Sequence, residues 1–138
     1  MFLGAALTLS LAGSAVAKDE GVQKWRMATS WPGGLLLEQA NQFAKNVEEL
    51  TEGRVQIQVF PGGTLGNPLK VTETVQKGLA QIGHSWTAYD WGKDKTNVLF
   101  PSWPGGLPSS EALLHWYYEG GGLALLQEFY QQEYGLKA

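Results

Sequence analysis

Gly53-Arg-Val-Gln-Ile-Gln-Val-Phe-Pro-Gly-Gly-Thr-Leu-Gly66 is the stretch that decides the fold of this 138-residue chain. Its apolar residues Val55, Ile57 and Val59 alternate with polar ones, which is the period of a strand with two unlike faces. The Pro61–Gly63 triplet comes next and predicts a tight turn, because glycine adopts backbone conformations that other residues avoid. A strand that ends at this turn is therefore the first element that the sequence predicts.

A helix and a second strand are predicted on the carboxyl side of this turn. Asn67 is a helix-capping residue and Pro68 suits a first helical turn, so a helix is expected from about Pro68 to Leu79. Its buried side is expected to consist of Leu69, Thr72, Val75 and Leu79. Residues Gln81–Ser85 then predict the next short strand. A strand, a helix and a strand in this order form a right-handed parallel crossover, and parallel sheets bind ligands at the carboxyl ends of their strands.

Upstream of the deciding stretch, the sequence predicts a strand followed by an amphipathic helix. The strand is expected over Lys24–Ser30, with Trp25, Met27 and Thr29 on one face. Apolar residues then recur at steps of four and three, which is the helical period. This apolar stripe consists of Leu36, Ala40, Phe43, Val47 and Leu50. Gly53 is expected to end the helix in the left-handed conformation.

The carboxyl-terminal part of the chain is predicted to be helical with one interruption. Residues Ser109–Tyr134 have helical character, but Gly120–Gly122 fall inside the run, and each glycine costs about 1 kcal/mol relative to alanine within a helix. We therefore expect either a joint between two helical pieces or a close-packing point at these glycines. The second piece is expected to pack through Leu126, Phe129 and Tyr130.

The composition indicates an ordinary folded domain and excludes several classes of protein. With 43% hydrophobic residues, 17% charged residues and a net charge of -3, the chain does not have a disordered profile. Its charges are scattered without a basic stripe, so no nucleic acid is expected as a partner. Six tryptophans favour an aromatic-lined pocket or interface, with ordinary core packing as the alternative. Because cysteine is absent, an exported form relies on its core and not on disulfides.

The first 17 residues have the features of a secretory signal peptide. Met1–Ala17 has no charged side chain, is mostly apolar, and ends in Ala-Val-Ala, a small-residue cleavage signature before Lys18. We therefore expect residues 1–17 to be a signal peptide and residues 18–138 to belong to an exported, periplasmic protein. At the other end, no cap or polar tail precedes Ala138, so the chain is expected to be the amino-terminal part of a longer protein.

Signatures of catalysis and metal binding are missing from the sequence. It has no cysteine nucleophile, no Gly-x-Ser-x-Gly elbow and no glycine motif of the phosphate-binding kind. His84 and His115 lie on different predicted elements without metal-ligand spacing. His115 is expected to be an ordinary packed or surface residue. His84 ends a predicted strand, so it either contributes to a ligand pocket or forms a hydrogen bond with a neighbouring backbone group.

Aromatic side chains, in contrast, are concentrated after the predicted strands, at the edge where parallel sheets bind ligands. They are Trp31, Trp86, Tyr89, Trp91 and Trp103. Polar groups are available at the same edge from Thr29, Ser30, His84 and Ser85. Aromatic walls with a few polar groups suit a small organic ligand that has apolar and hydrogen-bonding parts. The sequence thus predicts a recognition site without catalytic machinery.

Six motifs, spread over nearly all of the chain after the signal peptide, are shared with one known family. They are Met27-Ala-Thr-Ser-Trp-Pro32, the Phe43-Ala44 helix, Gly53–Leu65, Val75-Gln-Lys-Gly78, Gly83-His-Ser-Trp86 and Trp116–Leu123. Together they resemble the solute-binding subunit of tripartite ATP-independent periplasmic (TRAP) transporters, closest to the branch that binds 2-oxo acids and similar carboxylates. The resemblance implies an α/β, periplasmic-binding-protein-like fold, with a three-layer domain and a largely parallel sheet on one side of a two-domain cleft. Residues 18–138 would then be domain I and the start of the crossover, with most of the second domain missing.

The resemblance also implies a function. It implies a periplasmic receptor that captures a small organic carboxylate, similar to a 2-oxo acid, and delivers it unaltered to a TRAP membrane permease driven by sodium. No cofactor is expected within this chain, and a bound cation such as sodium is implied only for the whole protein. For such a receptor, the strand-end residues lead us to expect that Trp31, Trp86 and Tyr89 line the cleft and that His84 donates a hydrogen bond to the ligand.

The match to the family is incomplete around the predicted site. Tyr89 falls on a family tyrosine, whereas Ala88 and Asp90 replace aromatic residues and Trp91 replaces a basic one. These departures leave the identity of the ligand open. The carboxylate-clamping arginine of the family lies on the strand after the Gly-Gly-Gly helix, beyond Ala138.

Two other functions are compatible with the residues. One is a secreted α/β enzyme, a hydrolase or lyase, whose catalytic residues follow Ala138; turnover of model esters would favour it. The other is a secreted module that binds a protein partner through its aromatic residues, since aromatic side chains dominate binding energy at protein interfaces. A dry aromatic surface without a cleft would favour that second alternative.

Overall fold

The structure, a computed structural model, describes residues 21–101 and 106–138. The predicted signal peptide and Trp103 lie outside these residues. The helices and strands of the described part are β1 (Gln23–Thr29), α1 (Gly34–Leu50), β2 (Val55–Phe60), α2 (Val71–Gln76), β3 (Ile82–His84), the 3₁₀ helices Thr87–Asp90 and Lys95–Leu99, α3 (Ser110–Tyr118) and α4 (Gly122–Tyr134). None of the described helices combines the length and the apolar character needed to cross a membrane.

The strands of the described part form one parallel sheet in the order β2-β1-β3. In this register Met27 on the central strand lies opposite Val59 on β2 and Ile82 on β3. The predicted parallel arrangement is therefore confirmed, with the β2–α2–β3 connection crossing over β1. The predicted strand Lys24–Ser30 is displaced by one residue, because β1 covers Gln23–Thr29. All three strands end at the same edge of the sheet, which is the edge where parallel sheets bind ligands.

Helices lie on both faces of this sheet. Met27 and Ile82 face α1, with which they line a cavity of about 240 Å³ beside Ala40 and Phe43. Ala28 faces the opposite side and packs into a buried cluster with Val71 of α2, as expected because neighbouring strand residues point to opposite faces. The predicted three-layer α/β arrangement is thereby confirmed for the described part of the chain.

The apolar stripe of α1 is buried only in part. The helix itself forms as predicted, and Gly53 follows it with a positive φ of 78°. Only Ala40 and Ala44 are buried on α1, whereas Phe43 and Leu50 are 50% and 83% exposed. The small alanine side chains are the ones that meet the sheet. The larger side chains of Leu36, Phe43 and Leu50 remain exposed.

The predicted limits of α2 are wrong. The helix begins at Val71 and not at Pro68, because Asn67 closes a separate turn in which its Oδ1 accepts a hydrogen bond from the Leu69 backbone N–H at 2.9 Å. The helix ends before Gly78, which has a φ of 71°. Leu69 and Leu79 therefore lie outside the helix and are exposed. Thr72 is buried as predicted.

The helical tail is divided at the glycines as predicted. Gly121 has a φ of 83° and forms the joint between α3 and α4. Gly122 is buried and lies directly against the Trp116 indole, so the glycines also provide a close-packing point. Phe100 completes this contact from the preceding segment, with ring centroids 6.3 Å from Trp116 and 5.5 Å from Phe129.

Candidate functional site

The ends of the three strands are joined by hydrogen bonds at the carboxyl edge of the sheet. The Ser30 backbone N–H donates to the His84 carbonyl oxygen at 3.0 Å, which joins β1 to the end of β3. The Thr29 hydroxyl donates to the Phe60 carbonyl oxygen at 3.1 Å, which joins β1 to the end of β2. These bonds fix the direction in which the chain leaves the strands. They thereby fix the backbone from which the side chains at this edge project.

Four of the predicted site residues meet at this edge as one group, which we call the aromatic cluster: Trp31, His84, Trp86 and Tyr89. The Trp31 ring lies 6.0 Å from the His84 ring and 6.0 Å from the Tyr89 ring, measured between centroids. Tyr89 meets Trp86 edge to face at 5.4 Å and 90°. Such edge-to-face pairs are favourable because the positive rim of one ring faces the negative face of the other.

The remaining predicted aromatic residues are not part of this cluster. Trp91 is 64% exposed and forms no ring contact within the described residues. Trp103 lies outside the described residues. The two tryptophans that flank strand ends directly, Trp31 after β1 and Trp86 after β3, are the ones that the fold brings together with Tyr89.

Two polar atoms inside the aromatic cluster are buried without a hydrogen-bond partner in the described part of the chain. They are Nε1 of Trp31 and Nδ1 of His84. The alternative expectation for His84, a bond to a neighbouring backbone group, is therefore not met at Nδ1. An unpaired buried polar group costs about 1–3 kcal/mol. Such atoms are rare in folded proteins, and these two are available to bond to a ligand.

His84 is held in its neutral form by its surroundings. Burial lowers the pKa of the His84 imidazole below its usual value near 6.5, since the charged form loses hydration in the cluster. At neutral pH the ring therefore has one nitrogen that donates and one that accepts. The tryptophan Nε1 can only donate. The cluster thus combines the aromatic rings of Trp86 and Tyr89 with one N–H donor, Trp31 Nε1, and with the His84 imidazole, which can donate or accept a hydrogen bond.

Acidification is expected to destabilise the folded chain through His84. Because the folded-state pKa lies below the unfolded one, the unfolded chain takes up the proton first as the pH falls below about 6.5. The free energy of unfolding should then decrease until the pH passes through the folded-state pKa, and above about 6.5 it should not change through this group. The measurement is the free energy of unfolding from urea titrations at about pH 7.5 and about pH 5. Between these two pH values, His84→Gln should lose less of this free energy than the unsubstituted chain does. His115→Gln is the control, because His115 is exposed. If all three proteins lost the same free energy of unfolding between the two pH values, His84 would not be the cause of the loss.

The polar groups predicted beside the rings also meet at this edge. Ser30 and Ser85 form a hydrogen bond between their hydroxyl oxygens at 2.7 Å, across the ends of β1 and β3. Neither hydroxyl is paired with the His84 imidazole, whose Nδ1 has no partner among the described residues. The edge therefore lacks the serine–histidine pair that nucleophilic catalysis needs.

A cavity of about 470 Å³ lies next to the aromatic cluster but is not lined by its rings. Its walls come from α2, β3 and α4, and Ser85 and Thr87 are the wall residues nearest to the cluster in sequence. We place the candidate site at the rings and not in this cavity, because the rings stand at the carboxyl ends of the strands and contain the unpaired polar atoms. Ser85 borders both regions.

Sequence reasoning missed the buried polar residues behind the cluster. Asp90 stood out only as a departure from the family's aromatic run, and Asn97 lay in a stretch without a distinctive pattern. Both are buried in the structure. No local pattern marks them, since each has one partner from a more distant part of the chain, Thr72 for Asp90 and Tyr134 for Asn97. As for metals, residues 21–101 and 106–138 contain no group of three or more His, Asp or Glu side chains arranged to hold an ion.

Comparison with known proteins gives consistent matches. The family model of the bacterial extracellular solute-binding proteins, family 7 (DctP), matches residues 28–138. A monocarboxylate 2-oxoacid-binding periplasmic protein of Nostoc sp. is 40% identical over 108 residues, which are 78% of this chain and 29% of the relative.

Two solved structures of TRAP solute-binding proteins have the same fold. The protein from Bordetella bronchiseptica, with calcium and picolinate bound, is 30% identical with a TM-score of 0.76, over 82% of this chain and 34% of the other. The protein from Pseudoalteromonas atlantica, with sodium and pyruvate bound, is 32% identical with a TM-score of 0.75, over 81% of this chain and 34% of the other. The chain thus spans about a third of the length of the proteins it matches.

Proposed function

The chain belongs to the DctP family of bacterial extracellular solute-binding proteins, and on that premise we propose that it forms part of a periplasmic receptor for a small organic carboxylate. The ligand class that we propose is a 2-oxo acid or a compound of similar shape, which the receptor delivers unaltered to a TRAP-type membrane permease. Support comes from the relatives, of which one is named for binding 2-oxo acids and another holds pyruvate.

The aromatic cluster is the observation that carries this proposal. Its rings stand at the carboxyl edge of a parallel sheet, where a flat ligand can lie against Trp86 and Tyr89. Trp31 Nε1 and His84 Nδ1 are the polar atoms that would pair with the ligand's oxygens. None of these groups carries a positive charge at neutral pH, so a basic residue from elsewhere in the protein would bind the carboxylate.

An enzymatic function is less well supported by the same geometry. The Ser30 and Ser85 hydroxyls are paired with each other and not with His84, so no activated nucleophile stands at the edge. The relatives are binding proteins and not enzymes. A module that binds a protein partner through its rings remains the other alternative, and the experiment below separates it from a receptor for a small carboxylate.

Further parts of the proposal concern export and ions. We propose residues 1–17 as a signal peptide and the periplasm as the location, in keeping with a family described as extracellular. We also propose residues 18–138 as domain I of a two-domain receptor with the start of the crossover. Calcium and sodium are bound in the two solved relatives. The described residues contain no group of three or more His, Asp or Glu side chains that could hold such a cation, so we assign none of them to it.

Replacing Tyr89 with alanine is expected to weaken the binding of pyruvate about tenfold or more. The change removes a ring that contacts both Trp31 and Trp86, and with it one wall of the proposed site. The measurement is isothermal titration calorimetry of the product of the whole gene with pyruvate.

Trp91→Ala is the matched control for this experiment, because Trp91 is a neighbouring aromatic residue that lies outside the cluster. Its affinity for pyruvate should stay within about twofold of the unsubstituted protein. Equal affinities of the Tyr89→Ala and Trp91→Ala variants would remove Tyr89 from the site. If the unsubstituted protein binds neither pyruvate nor any other small carboxylate, the receptor proposal itself is wrong.

A further inference from the structure

Trp86 and Tyr89 are carried by a short segment that has little stability of its own. Tyr89 lies on the 3₁₀ helix Thr87–Asp90, which has only four residues. A single 3₁₀ turn has poor hydrogen-bond geometry and fixes several backbone angles for few hydrogen bonds. The direction of the Tyr89 ring must therefore be fixed by contacts with other parts of the fold.

Asn97 provides the first of these contacts. It is 0% exposed, and its Nδ2 donates hydrogen bonds to the Asp94 carbonyl oxygen at 2.8 Å and to the Asp90 carbonyl oxygen at 3.2 Å. In the opposite direction, the Thr87 hydroxyl donates to the Asn97 carbonyl oxygen at 3.1 Å. Asn97 thus joins the two 3₁₀ helices into one closed loop, with Tyr89 on its first turn.

Tyr134, at the end of α4, provides the second contact. Its hydroxyl oxygen lies 2.5 Å from Asn97 Nδ2, and its carbonyl oxygen accepts a hydrogen bond from Gln76 Nε2 at 3.0 Å. Burial raises the pKa of the Tyr134 phenol, so it keeps its proton at neutral pH. Tyr134 therefore joins the end of α4 to the end of α2 through its carbonyl oxygen, and to the loop through its neutral phenol.

Asp90, the residue next to Tyr89, provides the third contact. It is 5% exposed, and its Oδ2 accepts a hydrogen bond from the Thr72 hydroxyl of α2 at 2.5 Å. Its Oδ1 lies 3.3 Å from the Lys93 ammonium nitrogen. A buried carboxylate with two such partners allows little movement, because breaking either contact leaves a charge with too few partners.

We propose that Asp90, Asn97 and Tyr134 are positioning residues, which hold the Tyr89 ring against Trp31 and Trp86 and thereby set the affinity of the ligand site. The effect on affinity rests on the proposed function, whereas the effect on the position of Tyr89 does not. None of the three residues belongs to the aromatic cluster, and each acts on it through the loop that carries Tyr89.

The test uses Asn97→Asp and Tyr134→Phe in the product of the whole gene labelled with 3-fluorotyrosine. Asn97→Asp removes the two N–H donors and places a carboxylate beside two carbonyl oxygens. Tyr134→Phe removes only the hydroxyl and keeps the ring. It therefore tests whether the network positions Tyr89 even if Asn97→Asp does not fold. Asn46→Asp and Tyr118→Phe are the matched controls, because both residues are exposed and lie outside the loop.

The fluorine resonance of Tyr89, assigned by its loss in Tyr89→Phe, is the first measurement. Ring currents of two neighbouring indoles should displace it from the position of free fluorotyrosine. In ligand-free Asn97→Asp and Tyr134→Phe it should move toward that position or broaden, while the controls leave it unchanged. An unchanged resonance in Tyr134→Phe and in folded Asn97→Asp would overturn the proposal.

The affinity for pyruvate is the second measurement, and it separates the two proposals. We expect the dissociation constant to rise about three- to tenfold in the two network variants and to stay unchanged in the controls. A moved Tyr89 resonance with an unchanged dissociation constant would overturn the link to affinity. A moved resonance in a protein that binds no small carboxylate would leave the positioning role standing and contradict the proposed function instead.

Discussion

Gly62→Ala is expected to lower the free energy of unfolding by about 2–3 kcal/mol, because the new methyl group would collide with main-chain atoms. A Cβ at this position would lie 2.7 Å from the Ser30 carbonyl oxygen, 2.8 Å from the Ser30 carbonyl carbon and 3.0 Å from the Trp31 nitrogen. These atoms belong to the main chain directly after β1 and cannot rotate away as a side chain would. The Gly62 backbone N–H also donates to the Trp31 carbonyl oxygen at 2.8 Å, so separating the two segments breaks this bond.

The same substitution is expected to disturb the aromatic cluster, since it displaces the backbone from which Trp31 projects. Chemical denaturation monitored by circular dichroism measures the loss of stability, and tryptophan fluorescence reports the change around the indoles. Gly92→Ala is the control, because a Cβ there meets no atom within 4 Å and its φ is ordinary. That variant should stay within about 0.5 kcal/mol of the unsubstituted chain. Equal stabilities of the Gly62→Ala and Gly92→Ala variants would show that the two segments are not packed this closely.

Gly122→Ala is expected to cost about 2 kcal/mol, because its methyl group would enter the Trp116 indole. A Cβ at this position would lie 2.6–2.8 Å from three ring carbons, Cδ2, Cε3 and Cε2. The ring cannot withdraw freely, since it also packs against Phe100 and against Tyr117 at a centroid distance of 5.1 Å. Separation of α3 from α4 is the remaining way to relieve the collision. The measurement is again the free energy of unfolding from urea titration.

A double variant decides whether the indole is the cause of this loss. When Trp116→Leu is combined with Gly122→Ala, the smaller side chain leaves room for the methyl group. The cost of the alanine should then fall to well below the value found with tryptophan in place, which is the coupling expected of residues in direct contact. If the two single losses simply add, the destabilisation by Gly122→Ala has another origin.

The sheet could be predicted from short-range patterns because each pattern has a local cause. Alternation in Val55–Phe60 reflects the two faces of one strand, and it is visible without knowledge of the rest of the fold. The position of α2 could not be predicted in the same way. Asn67 and Pro68 are helix-start signals, but here the Asn67 side chain is used by a turn that precedes the helix. Whether an asparagine caps a helix or closes a turn before it depends on where the following helix packs in the fold.

The aromatic cluster was predictable in part, for a topological reason. Trp31 and Trp86 follow β1 and β3, and adjacent parallel strands bring the residues after them to one edge of the sheet. The sequence does not show that Tyr89 turns toward these rings while Trp91, two residues later, remains exposed. That choice depends on the 3₁₀ turn and its anchoring by Asn97, whose partner Tyr134 is 37 residues away.

The sequence by itself determined the parallel α/β arrangement, the division of the helical tail at its glycines and the family to which the chain belongs. These follow from periodicity, glycine conformation and motif order, which are properties of neighbouring residues. Only the tertiary structure decided which side chains of α1 are buried, which aromatic residues form the cluster and which buried polar groups hold it in place. Burial and hydrogen bonding between Asp90, Asn97 and Tyr134 depend on distances between segments that are remote in sequence, and those distances exist only once the sheet and helices have packed.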